Sequence, residues 1–476
     1  MIIALSKSQS ERLSIVSIQL TIRHSLKSRF ITKIKSVITT NSEYITLEEV
    51  LDLINTHRYK TKARYRKLEN YFIGKHDILN RVMEDPSKPN NKVVTNLPSH
   101  AVGIRVGYFS GEPLTITSDN EAETEVLNDI LEYNDFQDVN SDLDELSSIH
   151  GTANLVLWID EEGFIRMSPL KPSESFVIYD NSIKQEPIGA VIYRQYTTND
   201  QTFTEITIYN KDKISYYKGD LQTPVLMGEE PNFFGDIPMI EFMENKHRKG
   251  SFEDAISIVD AIENIMSSSV NEIEYFDNAY LLLKNLSATD SEDIADMKNN
   301  RTLLVDGDGD ASFLTKTVSD TYIQNMLNRL TNDFHKLTAT PNLTDESFAG
   351  NASGVALSYK MFGLEKQMNK KESKWRKSVQ RMLELIVNVL NMRGQNIDYR
   401  NYKITFTRAL PQNVTEIAQM VTSLNGIVSN ETLLSLLPFI EKPKEELDRV
   451  NSEKEAAFET YSFPMVDEVP TEDEEV

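Results

Sequence analysis

The chain has 476 residues with 50 Lys plus Arg against 73 Asp plus Glu, a net charge of −23 and a pI near 4.8. That acidity argues against a tight, sequence-independent grip on a phosphate backbone, which needs clustered cations. A mean hydropathy of −0.40 with no apolar run near membrane-span length argues against a spanning helix, and the absence of cysteine removes disulfides, thiolate zinc sites and thiol nucleophiles.

Residues 1–42 hold seven basic side chains against Glu11 and are expected to be a basic, poorly ordered leader. Thr46 with Glu49 is a capping-box signature opening a helix with Leu47, Val50, Leu51 and Ile54 on one face. A second helix is expected over 58–73, stopped by Gly74. A Pro/Asn-rich loop at 84–91, an apolar mixed stretch at 93–108 and a short strand at 113–117 precede two acidic amphipathic helices at 121–133 and 139–150. Six short strands follow, at 154–159, 164–168, 175–179, 190–196, 204–209 and 214–218, rich in β-branched and aromatic residues.

One long helix is then expected over 251–280, with Ile256, Val259, Ile262, Ile265, Met266, Val270 and Ile273 at helical spacing. Hairpin strands at 302–305 and 312–315 flank Asp306-Gly307-Asp308-Gly309-Asp310, and a second helix covers 318–337. A polar loop at 338–350 leads into a very long helix over 353–392 that ends at Gly394. A strand at 403–407 and helices at 415–424, 430–437 and 444–458 complete the pattern before an acidic tail, where Asp467 to Glu475 contributes six carboxylates. The fold class is α+β, mostly helical.

Tests for chemistry largely fail. Counted from Asp306, the calcium-loop positions that require Gly and Glu hold Ala311 and Thr317. There is no Walker-type loop, no His-Glu-x-x-His helix and no Gly-x-Ser-x-Gly elbow. No catalytic residue, metal or cofactor is therefore expected. One cluster stands out on the long helix: Lys360, Lys366, Lys370, Lys371, Lys374, Arg376, Lys377 and Arg381 face only Glu365 and Glu372. It reads as a basic surface for DNA or an acidic subunit, with Lys366, Lys370, Lys374 and Lys377 as its face, or else as a solvated face paired with acidic neighbours.

The order of these elements resembles the portal proteins of tailed double-stranded DNA bacteriophages, of the long-tailed siphophage type. Asn96-Leu97-Pro98 and Gly107-Tyr108-Phe109-Ser110-Gly111-Glu112-Pro113 are similar to early family segments. Gly151 through Trp158, Ser168 through Pro172 and Val177 through Asp180 are similar to its wing strands. Phe348-Ala349-Gly350-Asn351-Ala352-Ser353-Gly354-Val355-Ala356-Leu357 resembles the junction of tunnel loop and long helix. Thr405-Phe406, Pro411-Gln412-Asn413, Glu416, Leu424, Gly426, Ser429 to Thr432 and Glu446-Leu447 are similar to the start of the crown.

The resemblance implies a wing over 43–250 (β-rich 154–218), a stem helix over 251–280 and a clip with a β-hairpin over 281–317. A second stem helix over 318–337, a tunnel loop over 338–352, the long helix with its return strand over 353–409, a helical crown over 410–460 and an acidic tail over 461–476 follow. It also implies one subunit of a ring, a dodecamer, at one capsid vertex. Double-stranded DNA is packaged through that ring by terminase and later ejected, and the ring connects head to tail. Its implied partners are further copies of itself, the large terminase subunit, a head-tail adaptor, and the major capsid and scaffolding proteins, with no membrane. Its place is the virion, after assembly in the host cytoplasm.

The tunnel loop would present Asn342, Asp345, Glu346, Ser347, Phe348 and Asn351 to DNA. Lys316, Arg329 and Lys336 would be weak phosphate contacts, and Asp306, Asp308, Asp310 and Phe313 would dock terminase or adaptor on the clip. The competing readings are a capsid scaffold or adaptor that passes no nucleic acid, and a metal-dependent hydrolase whose carboxylate–Lys or His cluster is not found.

Overall fold

Thr46 opens the first helix as its spacing to Glu49 requires: its hydroxyl accepts the Glu49 amide at 3.4 Å, satisfying one orphan donor of the first turn. The computed structural model describes residues 37–42, 44–86, 88–198, 201–276, 280–284, 310–314, 320–343, 354–409, 414–437, 439–440 and 442–461. Helix α1 (Leu47–Phe72) runs unbroken where two helices were expected. The polar stretch Asn55-Thr56-His57 holds neither Pro nor Gly, and His57 is buried, so nothing in it breaks the helix.

Helices α2 (Leu97–Phe109), α3 (Glu121–Tyr133) and α4 (Phe136–His150) follow, and then the strands. One sheet has the order β1 (Ile38–Thr40), β5 (Ser175–Asp180), β6 (Pro187–Thr198), β7 (Gln201–Tyr209), β8 (Lys213–Gly219), β9 (Val225–Pro231), antiparallel except where β1 lies parallel to β5. A second has the order β10 (Met239–Met243), β3 (Thr152–Ile159), β4 (Ile165–Leu170). The six expected strands are all present. Three others, β1, β9 and β10, were not anticipated: β1 spans three residues, and β9 carries Gly228 and Pro231, which weaken a strand signature.

Period-two alternation assigns the faces of the larger sheet. Phe176, Ile178, Val191, Tyr193, Ile206 and Ile208 pack with Val50 and Ile54 of α1. Their neighbours in sequence, Val177, Ala190 and Tyr209, point the other way and join Val156, Leu170 and Met239 of the smaller sheet. The sheet is thus buried on both sides, under a helix on one and under a second sheet on the other.

The next three helices are α5 (Ile256–Phe276), α6 (Asp320–Thr338) and α7 (Gly354–Met392). Leu68, Tyr71, Ala101, Val102, Ile149, Phe252, Val259 and Phe334 gather α1, α2, α4, α5 and α6 into one core. Strand β13 (Lys403–Thr405) returns to pair antiparallel with β2 (Thr115–Thr117). Between α5 and α6, β11 (Tyr280–Lys284) pairs antiparallel with β12 (Asp310–Leu314). The hairpin therefore uses 280–284, of which only Tyr280 falls in the expected helix and 281–284 in the expected clip, and Asp310 lies in a strand rather than in the turn. Residues 302–305, expected as its first strand, lie outside the described residues.

Packing divides the chain into a unit of Met1–Asp345 with Lys360–Ala409 and another of Glu346–Tyr359 with Leu410–Val476. The latter holds α8 (Val414–Leu424), α9 (Asn430–Ser435) and α10 (Pro443–Tyr461), and Ser429 caps α9 by accepting the Thr432 amide at 3.3 Å. Within the first unit, Gly151 joins α4 to β3 with φ +90°, and a Cβ there would stand 2.2 Å from the Arg248 carbonyl oxygen. Only glycine fits that crossing.

Four histidines are buried among the described residues, and burial lowers His335 on α6 as it does two of the other three. Burial pushes His57, beside Phe176 and Tyr193, and His150, edge-on to Tyr65, down to about 4. Burial also opposes charge on His76, but Glu263 at 2.5 Å and the Tyr71 carbonyl at 2.7 Å outweigh it and raise the imidazole above 6.5. His57 and His150 contribute stability that is present above pH 6.5 and lost as pH falls towards 4, about 3 kcal/mol each. The His76 contribution is present below 6.5 and lost as pH rises through its raised value. Thermal stability should therefore peak near pH 6.5, and replacing His57 and His150 by Phe should flatten the acid limb. Melting temperatures from pH 4 to 8 check this, and a wild-type melting temperature that climbs on acidification below pH 6 would contradict it.

Candidate functional site

Where α2, α4 and α7 meet the end of β10, four charges from four distant segments are buried together. Arg105 comes from α2, Asp144 from α4, Glu244 from the residue after β10, and Lys371 from α7. Their side chains are at most 3% exposed. The Lys371 ammonium bonds Asp144, Glu244 at 2.5 Å and Ser148 at 3.2 Å, and lies 5.1 and 5.2 Å from the ring centres of Phe109 and Trp375. Ser110 donates to Asp144 at 2.8 Å. The Arg105 guanidinium bonds Glu244 and donates to the Thr338 carbonyl at 2.9 Å and to Gln367 at 2.7 Å.

Two cations and two carboxylates balance, which is what permits such burial. Burial raises the Asp144 carboxyl above its usual range against the pull of Lys371. Burial works against ionising Glu244 too, but Lys371 and Arg105 together hold it down at about 2.

Through Arg105, this node reaches the end of α6. Ala339 stands there at φ +52°, the Thr340 amide donates back to the His335 carbonyl at 3.1 Å, and the Thr338 and Thr340 hydroxyls lie 2.7 Å apart. This is a Schellman-type stop with alanine in the left-handed position that favours glycine. It fixes the direction in which the chain leaves the helix towards the expected tunnel loop. Of that loop, Asn342 is described and half-buried, whereas Asp345, Glu346, Ser347, Phe348 and Asn351 lie outside the described residues.

On α6, Arg329 and Lys336 are exposed and seven residues apart, so they share a face, with Tyr322 another turn pair earlier at 64% exposure. Neither cation has an ion-pair partner among the described residues. Lys316, Asp306 and Asp308 lie outside the described residues. Asp310 pairs with Lys284 across the base of the hairpin at 3.4 Å, and Phe313 sits in β12 in register with Leu281.

The eight-cation cluster of α7 is not one surface. Lys371 is interior. Arg376 pairs with Glu372 at 2.7 Å and donates to the Ile404 carbonyl at 2.7 Å, and Arg381 pairs with Asp236 and Glu384, each at 2.7 Å. Arg408 from the return strand's far side joins Glu372 at 2.7 Å. Lys366, Lys370 and Lys377 are exposed and Lys374 half-buried, all without an ion-pair partner among the described residues. The node itself was not seen in the sequence: Asp144 was one carboxylate in an acidic helix, and Lys371 differs from Lys370 only by its angular position. Its one signal was that phase, which puts Lys371 with Leu364, Met368 and Trp375 rather than with the exposed lysines.

Among the described residues no group of three or more His, Asp or Glu could hold a metal, and no helix is long and apolar enough to cross a membrane. The family model "Phage portal protein, SPP1 Gp6-like" matches residues 51–460. The chain is 24% identical over 432 residues to the portal protein of Bacillus phage SPP1, covering 86% of each chain. It is 24% identical over 435 residues to the portal protein of Clostridium phage phiCD119, covering 84% of this chain and 94% of that one.

Three substitutions test the node and its cap. Lys371→Met should lower the unfolding free energy by about 3–5 kcal/mol, because two carboxylates then share one buried cation. Adding Asp144→Asn should recover at least about 1 kcal/mol of that loss by restoring the balance. Ala339→Gly should raise stability by about 1 kcal/mol by relieving the left-handed strain. Urea denaturation measures all three, and a double variant less stable than Lys371→Met alone would refute the charge-balance account.

Proposed function

The chain belongs to the SPP1 Gp6-like phage portal protein family, and on that premise we propose that it is one subunit of a twelve-fold ring at a single capsid vertex. A portal protein is a structural channel component of the virion, not an enzyme. In this reading terminase drives double-stranded DNA through the ring, and the DNA later leaves by the same opening into the tail. Residues 43–250 and 353–409 form the wing, α5 and α6 the stem, and the β11–β12 hairpin the clip that meets terminase and then the head-tail adaptor. Residues 338–352 form the tunnel loop, and α8 to α10 lie in the crown.

The observation that carries the ring is the way burial fades along the stem. Val259 and Ile262, near the start of α5, are buried, whereas Val270 and Ile273 further along the same apolar face are 39% and 69% exposed. On α6, Phe334 is fully buried near the C-terminal end, while Ile323, Met326 and Leu327 towards the other end are only partly covered. Two helices joined by a hairpin cannot bury apolar side chains on every side, and heterologous contacts in a closed ring supply the missing neighbours.

The acidity suits a conduit. A wall that neutralised many phosphates would hold DNA with a salt-dependent sticking energy, whereas a few cations such as Arg329 and Lys336 steer it without arresting it. The scaffold reading, without DNA passage, has no observation in its favour.

The test is mass and shape in solution. Light scattering should give about 0.65 MDa, twelve times the 54.4 kDa subunit, with a central hole in negative-stain images. Ile273→Glu replaces a side chain exposed in the isolated subunit, so it should change subunit stability by no more than about 0.5 kcal/mol yet abolish the ring. A ring that persists in that variant would remove the α5 face from the subunit contact.

A further inference from the structure

The four unpaired lysines of α7 do not end on a flat surface. Residues 366, 370, 374 and 377 recur every three or four positions and form one stripe, about 16 Å long at the helical rise. At its C-terminal end the stripe opens into a cleft of about 460 Å³ between α7, β10 and the β5–β6 connection. Lys374, Lys377, Arg381, Arg248 and Lys184 line that cleft, and Glu241 is the one carboxylate among its lining residues.

Glu241 is already committed. It accepts both Arg248 N–H groups at 2.6 Å, the Thr152 hydroxyl at 2.8 Å and the Tyr179 hydroxyl at 3.0 Å. Arg381 is likewise held by Asp236 and Glu384, and exposed Lys184 reaches Glu186 only at 3.5 Å. What the cleft offers a ligand is therefore the ammonium ends of Lys374 and Lys377, with no partner among the described residues, in a chain of net charge −23. Beneath them Val177, Pro187, Met239 and Met243 supply an apolar lining.

We propose that this cleft and the lysine stripe leading into it bind an extended acidic peptide segment of a partner protein, carboxylates on Lys374 and Lys377 and apolar side chains against the methionines. Three observations favour a peptide over nucleic acid. A cleft of about 460 Å³ cannot admit a duplex roughly 20 Å across, and its size is that of a pocket for a few side chains. Its apolar lining has nothing to do for a sugar–phosphate backbone, which would prefer aromatic stacking platforms, and the one aromatic residue among its lining, Tyr179, is half-buried and tied by its hydroxyl to Glu241. Lysine presents a point charge that accepts single carboxylates, whereas the arginines suited to bidentate phosphate contacts are already engaged within the fold.

The test uses the full chain and a fluorescein-labelled peptide of six Glu-Val repeats, with a twelve-nucleotide oligo-dT as the competing probe, read by fluorescence anisotropy. The peptide should bind, and should do so more tightly than the oligonucleotide. Lys374→Gln/Lys377→Gln should weaken it at least tenfold with unchanged circular dichroism, and Lys366→Gln/Lys370→Gln should weaken it two- to threefold. Equal affinity in wild type and the first double variant would overturn the proposal. So would tighter binding of oligo-dT, which would make the stripe a nucleic-acid surface. Peptide binding to isolated subunits but not to the assembled ring would also overturn it, since a second copy would then be the occupant.

Discussion

Arg105, Asp144, Glu244 and Lys371 hold one another in the interior, and the rest of the first unit is arranged around that arrangement. None could be buried alone: an unpaired ammonium or carboxylate out of water costs several kcal/mol. Each belongs to a different segment, so the charges can be neutralised only when α2, α4, the end of β10 and α7 are all in place. Apolar packing on its own tolerates sliding, because one methyl contact resembles another. A four-charge node does not. Through the Thr338 carbonyl it also fixes the end of α6, so α6, the long helix α7 and the smaller sheet share one registered joint.

That joint explains what could be read in the sequence and what could not. The strands of the larger sheet were legible because alternation is local: Val177 and Ile178 announce opposite faces without knowing what covers them. Helix ends were legible where a residue's own chemistry sets them, as with Thr46 and with Gly394, whose φ is +94°. The single helix α1 was divided because polarity was taken for exposure, while the fold buries His57 against Phe176 and Tyr193. The strand over 280–284 was not foreseen because nothing local says that it pairs with 310–314, while the glycine–aspartate run drew Asp310 into a turn. The node was invisible for a stronger reason. Its meaning lies in contacts between residues far apart in sequence, 139 positions for Arg105 with Glu244 and 227 for Asp144 with Lys371, and no window along the chain contains it.

The charge distribution follows a division of labour between arginine and lysine. Arg64 with Glu253, Arg248 with Glu241, Arg376 and Arg408 with Glu372, and Arg381 with Asp236 are all internal ties at 2.6 or 2.7 Å. The planar guanidinium loses little freedom on making two bonds at once, so it serves where segments must be fixed to each other. Lys366, Lys370 and Lys377 are left exposed and Lys374 half-buried, as point charges on one helix face. With 73 carboxylates available, a lysine without a partner among the described residues is one that the fold has kept away from its own acids. Had these ammonium groups only to keep the chain soluble, the surplus of negative charge would already suffice. Their alignment on one helix face, ending in a cleft whose single carboxylate is occupied, points outward to a partner. Arg329 and Lys336 on α6 are likewise exposed and without an ion-pair partner among the described residues, so they too stand out against the acidic excess of the chain.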